Sequence, residues 1–423
     1  MKRTVFSLSF IIVHFSFCMA QSLEECQRAA EENYPLIRQY DLIEKTTDLT
    51  VANIGKGWLP QVAASAQATW QSDVVSFPKQ MQAVYQQMGL NMKGLSKDQY
   101  RVGVDINQTV YDGGMISSQK QVAREQGKVQ AAQNEVSLYN VRKRVNEMYF
   151  SLLLLDEQIK LNNDLQELLA GSEKKLTSMV KNGIAAESDL KNVKAERLNA
   201  VQQKTNLEAQ RRMLRDMLST FCGLEVKQLQ KPPLEEAGGV NKRPELRLFD
   251  SQLSLANAQE KVLDAALLPK LSLFAQGYYG YPGYNMFEDM VSRDWSLNGM
   301  IGARLAWNIG ALYTRKNDKV KLQLQRDLTE SNRDVFLFNN RLEQIQQNEN
   351  IARCKRLMAE DDEIISLRTA VRRAAESRLS HGIIDVNDLL REINQENAAK
   401  VQQSMHEIEL LRQIYDNKFT TNN

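Results

Sequence analysis

Residues able to do chemistry are few in this chain, and those set at a repeated spacing suit the capping and charging of helix ends better than catalysis. Of three histidines, His14 falls in an apolar N-terminal segment. That leaves His381 and His406, too few for most catalytic or metal-ligating sets. The acidic runs Glu31-Glu32 and Glu360-Asp361-Asp362-Glu363 stand at helical positions and read as solvated faces. No glycine loop suited to phosphate appears, so no enzymatic activity and no cofactor is expected. What does recur is Asn182-Gly183-Ile184 with Ser188-Asp189-Leu190, answered 199 positions later by His381-Gly382-Ile383 with Asp388-Leu389. Glycine just past a helix end supplies a left-handed cap, and Ser188-Asp189 or Asn387-Asp388 can cap or charge the next helix. Arg391 follows Asp388 by one turn and can neutralise it.

These motifs belong to a duplication of the whole chain. Tyr34-Pro35 and Trp58-Leu59-Pro60 are matched by Arg243-Pro244-Glu245 and Leu268-Pro269, with Pro35 to Pro244 and Pro60 to Pro269 both 209 positions apart. A long-period repeat shapes the fold as a whole. Residues 21–232 form a first repeat and 233–423 a second, each ordered as helix, strand, loop, strand, very long helix, turn, helix.

The opening helix of the first repeat is expected over Leu23–Gly57. Strands are expected near 61–71, 100–111, 270–281 and 295–308, from alternation of period two. One face carries Val62, Val104, Ile106, Leu273, Ile301 and Leu305, with Trp70, Trp295 and Trp307 near strand ends. The other carries Gln67, Arg101, Asp105, Asn107, Gln276 and Arg304. Lipid outside and water inside a barrel would give this pattern. A soluble sheet with one wet face would give it too. The loops, about 72–99 and around Tyr281-Pro282-Gly283-Tyr284, read as polar connections. Ile116–Met179 and Tyr313–Leu379 contain no proline, and at about 65 residues each they would reach about 100 Å as helices. Leu138, Val141, Val145, Met148, Leu152, Leu155 and Ile159 step by three and four like a coiled-coil seam, as do Leu328, Val335, Phe338, Leu342, Ile345 and Ala352. Between the repeats, 223–242 with Pro232-Pro233 and Gly238-Gly239 reads as a non-helical belt.

Residues 1–20 read as a secretory signal: Lys2-Arg3, an apolar run from Val5 to Phe17, and cleavage after Ala20. Lipidation of Cys18 is the alternative, but it needs a small residue where Phe17 stands. Removing Lys2 and Arg3 takes the formal charge of +2 to zero, so nothing argues for nucleic acid. Cys26, Cys222 and Cys354 are too sparse for a disulfide scaffold. A Cys26–Cys222 bridge and buried free thiols both fit, the second being the commoner outcome. After the signal no apolar run is long enough for a transmembrane helix, so a membrane would be crossed by strands. Four strands cannot close a barrel, and an open edge is not tolerated in lipid. Two chains would give eight strands filled by side chains; three give twelve, wide enough for water.

The order, spacing and duplication of these elements resemble the TolC family of outer-membrane efflux proteins over essentially the whole mature chain. The carriers are the repeat starts, the Leu59-Pro60 and Leu268-Pro269 junctions, and the Tyr111-Asp112-Gly113-Gly114 turn. Most specific are the tips, from Gly183 to Leu190 and Gly382-Ile383-Ile384-Asp385-Val386-Asn387-Asp388-Leu389-Leu390. The resemblance implies an α+β membrane protein: a homotrimeric twelve-stranded barrel in the outer membrane of a Gram-negative bacterium, continued by a helical periplasmic tunnel. Such a tunnel docks a periplasmic adaptor and an inner-membrane pump in drug efflux or type I secretion. In the family, the inner helix ends close the tube through polar links and acidic rings. Asp189 and Asp388 occupy acidic positions of that pattern. Leu379 and Ile384 stand where a tyrosine and an arginine are usual, and Arg391 where an acidic residue is often found. A gate here would thus rest more on apolar contact. The rival readings are a periplasmic coiled-coil adaptor, which would carry one hairpin and a lipoyl-like domain, and a diffusion porin, which would be mostly strand.

Overall fold

The computed structural model describes residues 20–92, 94–235 and 240–422. The expected signal up to residue 19, Cys18 and Gly238-Gly239 lie outside the described residues. Ser22 opens helix α1 (Leu23–Asn33) with a reciprocal cap, its hydroxyl accepting from the Glu25 N–H while the Glu25 carboxylate accepts from its own N–H. The opening helix does not run on to Gly57 as expected. Tyr34 is extended, Pro35–Ile37 form a 3-10 turn, and α2 (Arg38–Gly55) follows. Pro35 has no N–H to donate and disfavours helical backbone in the residue before it. A second 3-10 turn, Lys56–Trp58, leads into β1 (Gln61–Trp70).

The loops are less plain than the sequence suggests. The first contains helix α3 (Lys79–Gln87), preceded by Pro78, and ends at β2 (Asp98–Tyr111). Asp112 then starts helix α4 (Met115–Lys181), its carboxylate accepting from the N–H groups of Gly114 at 2.8 Å and Ile116 at 2.6 Å. Gly127 does not interrupt α4; a Cβ there would run into the side chain of Thr47 on α2, so glycine permits the close approach. Next come α5 (Glu187–Cys222), α6 (Pro244–Ala265) and β3 (Lys270–Tyr281). The second loop holds α7 (Met286–Val291), and β4 (Ser296–Ala306), α8 (Ala311–Ser380) and α9 (Val386–Thr421) complete the chain. No described helix is long and apolar enough to cross a membrane.

The described chain divides into two units, each drawing on both repeats. The sheet unit comprises residues 41–132 and 248–332. Its four strands run β1-β2-β3-β4, all antiparallel, leaving β1 and β4 as open edges. Arg326 on α8 ties back to α6 through Glu260, at 2.8 Å.

The helical unit comprises the residues up to 40, 133–247 and 333 onward. Its core joins Leu23, Cys26 and Ala30 of α1 to Val141, Val145, Tyr149 and Phe150 of α4, Leu218 of α5, and Leu411 and Ile414 of α9. The first coiled-coil seam is spent here, with Leu138 through Leu155 buried. The second is not covered by the described residues of the chain. Leu328, Val335, Phe338, Leu342 and Ile345 are exposed, Phe338 at 63%. As expected, 223–235 and 240–243 are non-helical. Arg243 anchors this belt, buried against the rings of Tyr139 and Phe419 at 4.9 and 4.7 Å and forked onto Glu245.

Candidate functional site

Two surfaces concentrate the residues singled out by the sequence: the ends of the helical hairpins and the two faces of the sheet. At the first tip α4 ends on Gly183, with φ +69°, and the N–H of Ile184 reaches the Met179 carbonyl at 2.9 Å. At the second, Gly382 has φ +71° and the Ile383 N–H reaches Arg378 at the same distance. Both are left-handed glycine caps, so the duplication extends to hydrogen-bond detail. The return helices are capped differently from expectation. Neither Asn387 nor Asp388 is the cap of α9. Asp385 is, accepting from the Asp388 N–H at 2.9 Å. For α5 the cap position is Ala186, which has no side-chain acceptor. Asp189 reaches back to its N–H at 3.3 Å, and Ser188 lies in the first turn without a capping bond.

The structure brings the two tips together. Asn192 donates to Asn387 at 3.2 Å and Asn394 to Glu196 at 2.9 Å, above a shared cluster of Leu176, Val193 and Val386. Leu379 and Ile384 do not project outward as a free apolar pair. Both pack against Leu165, Leu169, Ala375 and Ile393 within the chain. The exposed apolar residues are instead Ile184 and Ile383, 64% and 70% exposed. A residue following a left-handed cap commonly packs back on its helix, so this exposure is the departure that the sequence pattern hides. Arg391 pairs with Asp388 at 3.1 Å, both partly open to solvent.

Further along the same hairpin, α8 and α9 are joined by charges that read from sequence as solvated. Glu396, 3% exposed, receives Thr369 at 3.0 Å, Lys400 at 2.8 Å and Arg372, which also holds Glu376 at 2.7 Å. His406 and Asp361, part of the acidic run, meet at 2.8 Å. Charged residues at helical spacing give no sequence signal of burial until the partner helix is known.

In the sheet, strand register puts the polar residues on one face. Gln67 stands opposite Arg101, Asp105 opposite Gln276, Asn107 opposite Phe274, and Ser272 opposite Arg304, whose guanidinium lies over the Phe274 ring at 5.1 Å. This face is hollowed by a cavity of about 290 Å³ lined by Ser65, Arg101, Asp105, Gln276 and Tyr278. The opposite face pairs Ala64 with Val104, Ile106 with Ala275, Ala275 with Ile301 and Leu271 with Leu305. Nothing in the described chain covers it. Leu297 and Ile301 are 83% and 85% exposed, and Trp70, Trp295 and Trp307 are exposed near strand ends. A contiguous apolar face of this kind needs an apolar surrounding.

Residues 28–223 match the model of a protein family described as outer membrane efflux protein. Over that stretch the chain is similar to this family. Its fold is shared with solved outer-membrane channels. OprN matches at 15% identity with a TM-score of 0.68, over 94% of this chain and 89% of that one. CmeC of Campylobacter jejuni matches at 14% and 0.66, over 94% and 85%. The open state of MtrE of Neisseria gonorrhoeae matches at 14% and 0.65, over 95% and 89%. A comparison with curated protein sequences gives no match. In proteins of that family, a valine, leucine and isoleucine face of this kind would have lipid as its neighbour. The family and the matched structures are channel proteins, not enzymes.

Proposed function

We propose that three copies of this chain form a passive exit duct, receiving its cargo from an inner-membrane pump through a periplasmic adaptor. The observation that carries this is the sheet: four strands, two open edges, one face apolar along its middle and the other mostly polar. Edges must be paired in lipid, and twelve strands enclose a water-filled bore where eight would not. In that closure Gln67, Asp105, Asn107, Gln276 and Arg304 line water, and the exposed α8 seam from Leu328 to Ile345 is covered by a neighbouring copy. The paired tips would face the pump. Ile184 and Ile383 offer an apolar grip to the helical end of an adaptor, and Asp388 with Arg391 is repeated around the axis as a charged mouth. Energy then comes from the partner.

The test is to purify the protein from outer membranes in mild detergent, weigh the complex and insert it into a planar bilayer. A trimer with discrete conductance steps supports the duct. A monomer recovered from the soluble periplasm would overturn it.

A further inference from the structure

Cys26 and Cys222 come from opposite ends of the first repeat and meet in the core of the helical unit, where both are almost fully buried. They are not casual neighbours. The Cys222 thiol donates to the Cys26 carbonyl at 3.4 Å. The interaction between the two thiols raises the Cys26 thiol and lowers Cys222. The backbone around them is fixed from both sides. Asn33 Nδ2 donates to the carbonyls of Thr220 and Phe221, both at 3.1 Å, closing the end of α5. Gln21 exchanges main-chain hydrogen bonds with Gln228 and Gln230, at 2.9 and 3.0 Å. Such a frame holds the Cys222 sulfur against the Cys26 backbone, where a bond between the two residues would form.

We propose that Cys26 and Cys222 form a disulfide in the exported protein, closing the whole first repeat into a covalent ring. The compartment favours it, since an outer-membrane protein folds where disulfides form and persist. The step is thiol–disulfide exchange with an oxidised thiol oxidoreductase. One cysteine thiolate attacks the acceptor's disulfide and forms a mixed disulfide. The second thiolate attacks the chain's own sulfur and releases the acceptor as a dithiol, which takes up the two protons. Burial dictates the timing. The sulfurs are reachable only before α1 docks on α5, so the bond forms during folding and is shielded afterwards. All three cysteines stand as free thiols in the structure; with the bond made, Cys354, buried elsewhere in the same core, is the single thiol left among them.

The full-length protein is isolated from outer membranes and unfolded in detergent with a polymer-bearing maleimide, with and without prior reduction. One adduct per chain before reduction and three after it, with a tryptic species linking the Cys26 and Cys222 peptides by mass, is the expected result. Three adducts without reduction would overturn the proposal, as would a linked species containing Cys354. Either failure leaves the channel reading untouched, because that reading does not use these thiols.

Discussion

Burial by itself would raise the proton affinity of Glu396, but hydrogen bonds from Lys400, Arg372 and Thr369 hold its carboxyl below the usual range. A depressed folded value means stabilisation that is present above the ordinary carboxylate pKa and lost as pH falls through the folded one. Arg372→Ala strips a charged partner from a buried carboxylate. It should cost about 3 kcal/mol, read as a lowered thermal unfolding midpoint by circular dichroism. Replacing both residues, as Arg372→Met with Glu396→Leu, should cost clearly less. Asp416 behaves oppositely. Burial, only partly offset by Arg412 and Lys143, pushes it up to about 6. The unfolded chain ionises it more easily, so the fold is penalised above that value, and the penalty fades between pH 6 and 4. Asp416→Asn should therefore stabilise by about 2 kcal/mol at pH 8 and by almost nothing at pH 4, measured by denaturant unfolding at both.

For the strands, facing is the property that matters. Val104→Lys or Ile301→Lys puts a charge on the apolar face, at about 2–4 kcal/mol in each copy at mid-depth. Membrane-inserted protein should fall sharply for both, while polar changes at Gln67 or Gln276 leave it unchanged. Normal insertion of both lysine variants would mean the strands do not lie in lipid. For α8, Phe338→Glu should abolish the detergent-resistant oligomer without unfolding the single copy, as gel filtration and circular dichroism together would show. The strands were legible because a period of two survives any partner, and β3 falls at its expected bounds. The long helices were legible because nothing in them stops a helix. Helix α3 was not, since its glutamines and methionines look like loop until Tyr85 is seen against Phe77 at 5.4 Å. The seams looked alike in sequence and differ in fate, because heptad spacing says that a face is apolar without saying which chain covers it. The cap of α9 lies two residues before Asn387, and Asp388 charges the first turn instead: Asp385, Asn387 and Asp388 are all good cap types, and only backbone geometry selects among them.

Across the whole molecule, the paired tips are where a channel of this kind would be throttled. Arg391 at i+3 neutralises Asp388 within one chain, so gathering three copies need not gather three bare carboxylates. Arg391→Glu replaces that compensation with added repulsion. It should raise single-channel conductance in a planar bilayer, more so at low salt, where the charges are less screened. Unchanged conductance from an intact oligomer would place the constriction elsewhere along the duct.

The face that no part of the chain covers also governs what happens before assembly. A newly exported copy is a solute in the wrong solvent, with Leu297, Ile301 and Trp307 presented to water and Phe338 likewise in want of a neighbour. Such a copy is a client for holdases and proteases rather than a stable intermediate. In the proposed duct of three copies, encounter would depend steeply on the concentration of free chains. Halving synthesis should then reduce finished ducts by more than half, the shortfall appearing as degradation products rather than as a soluble pool.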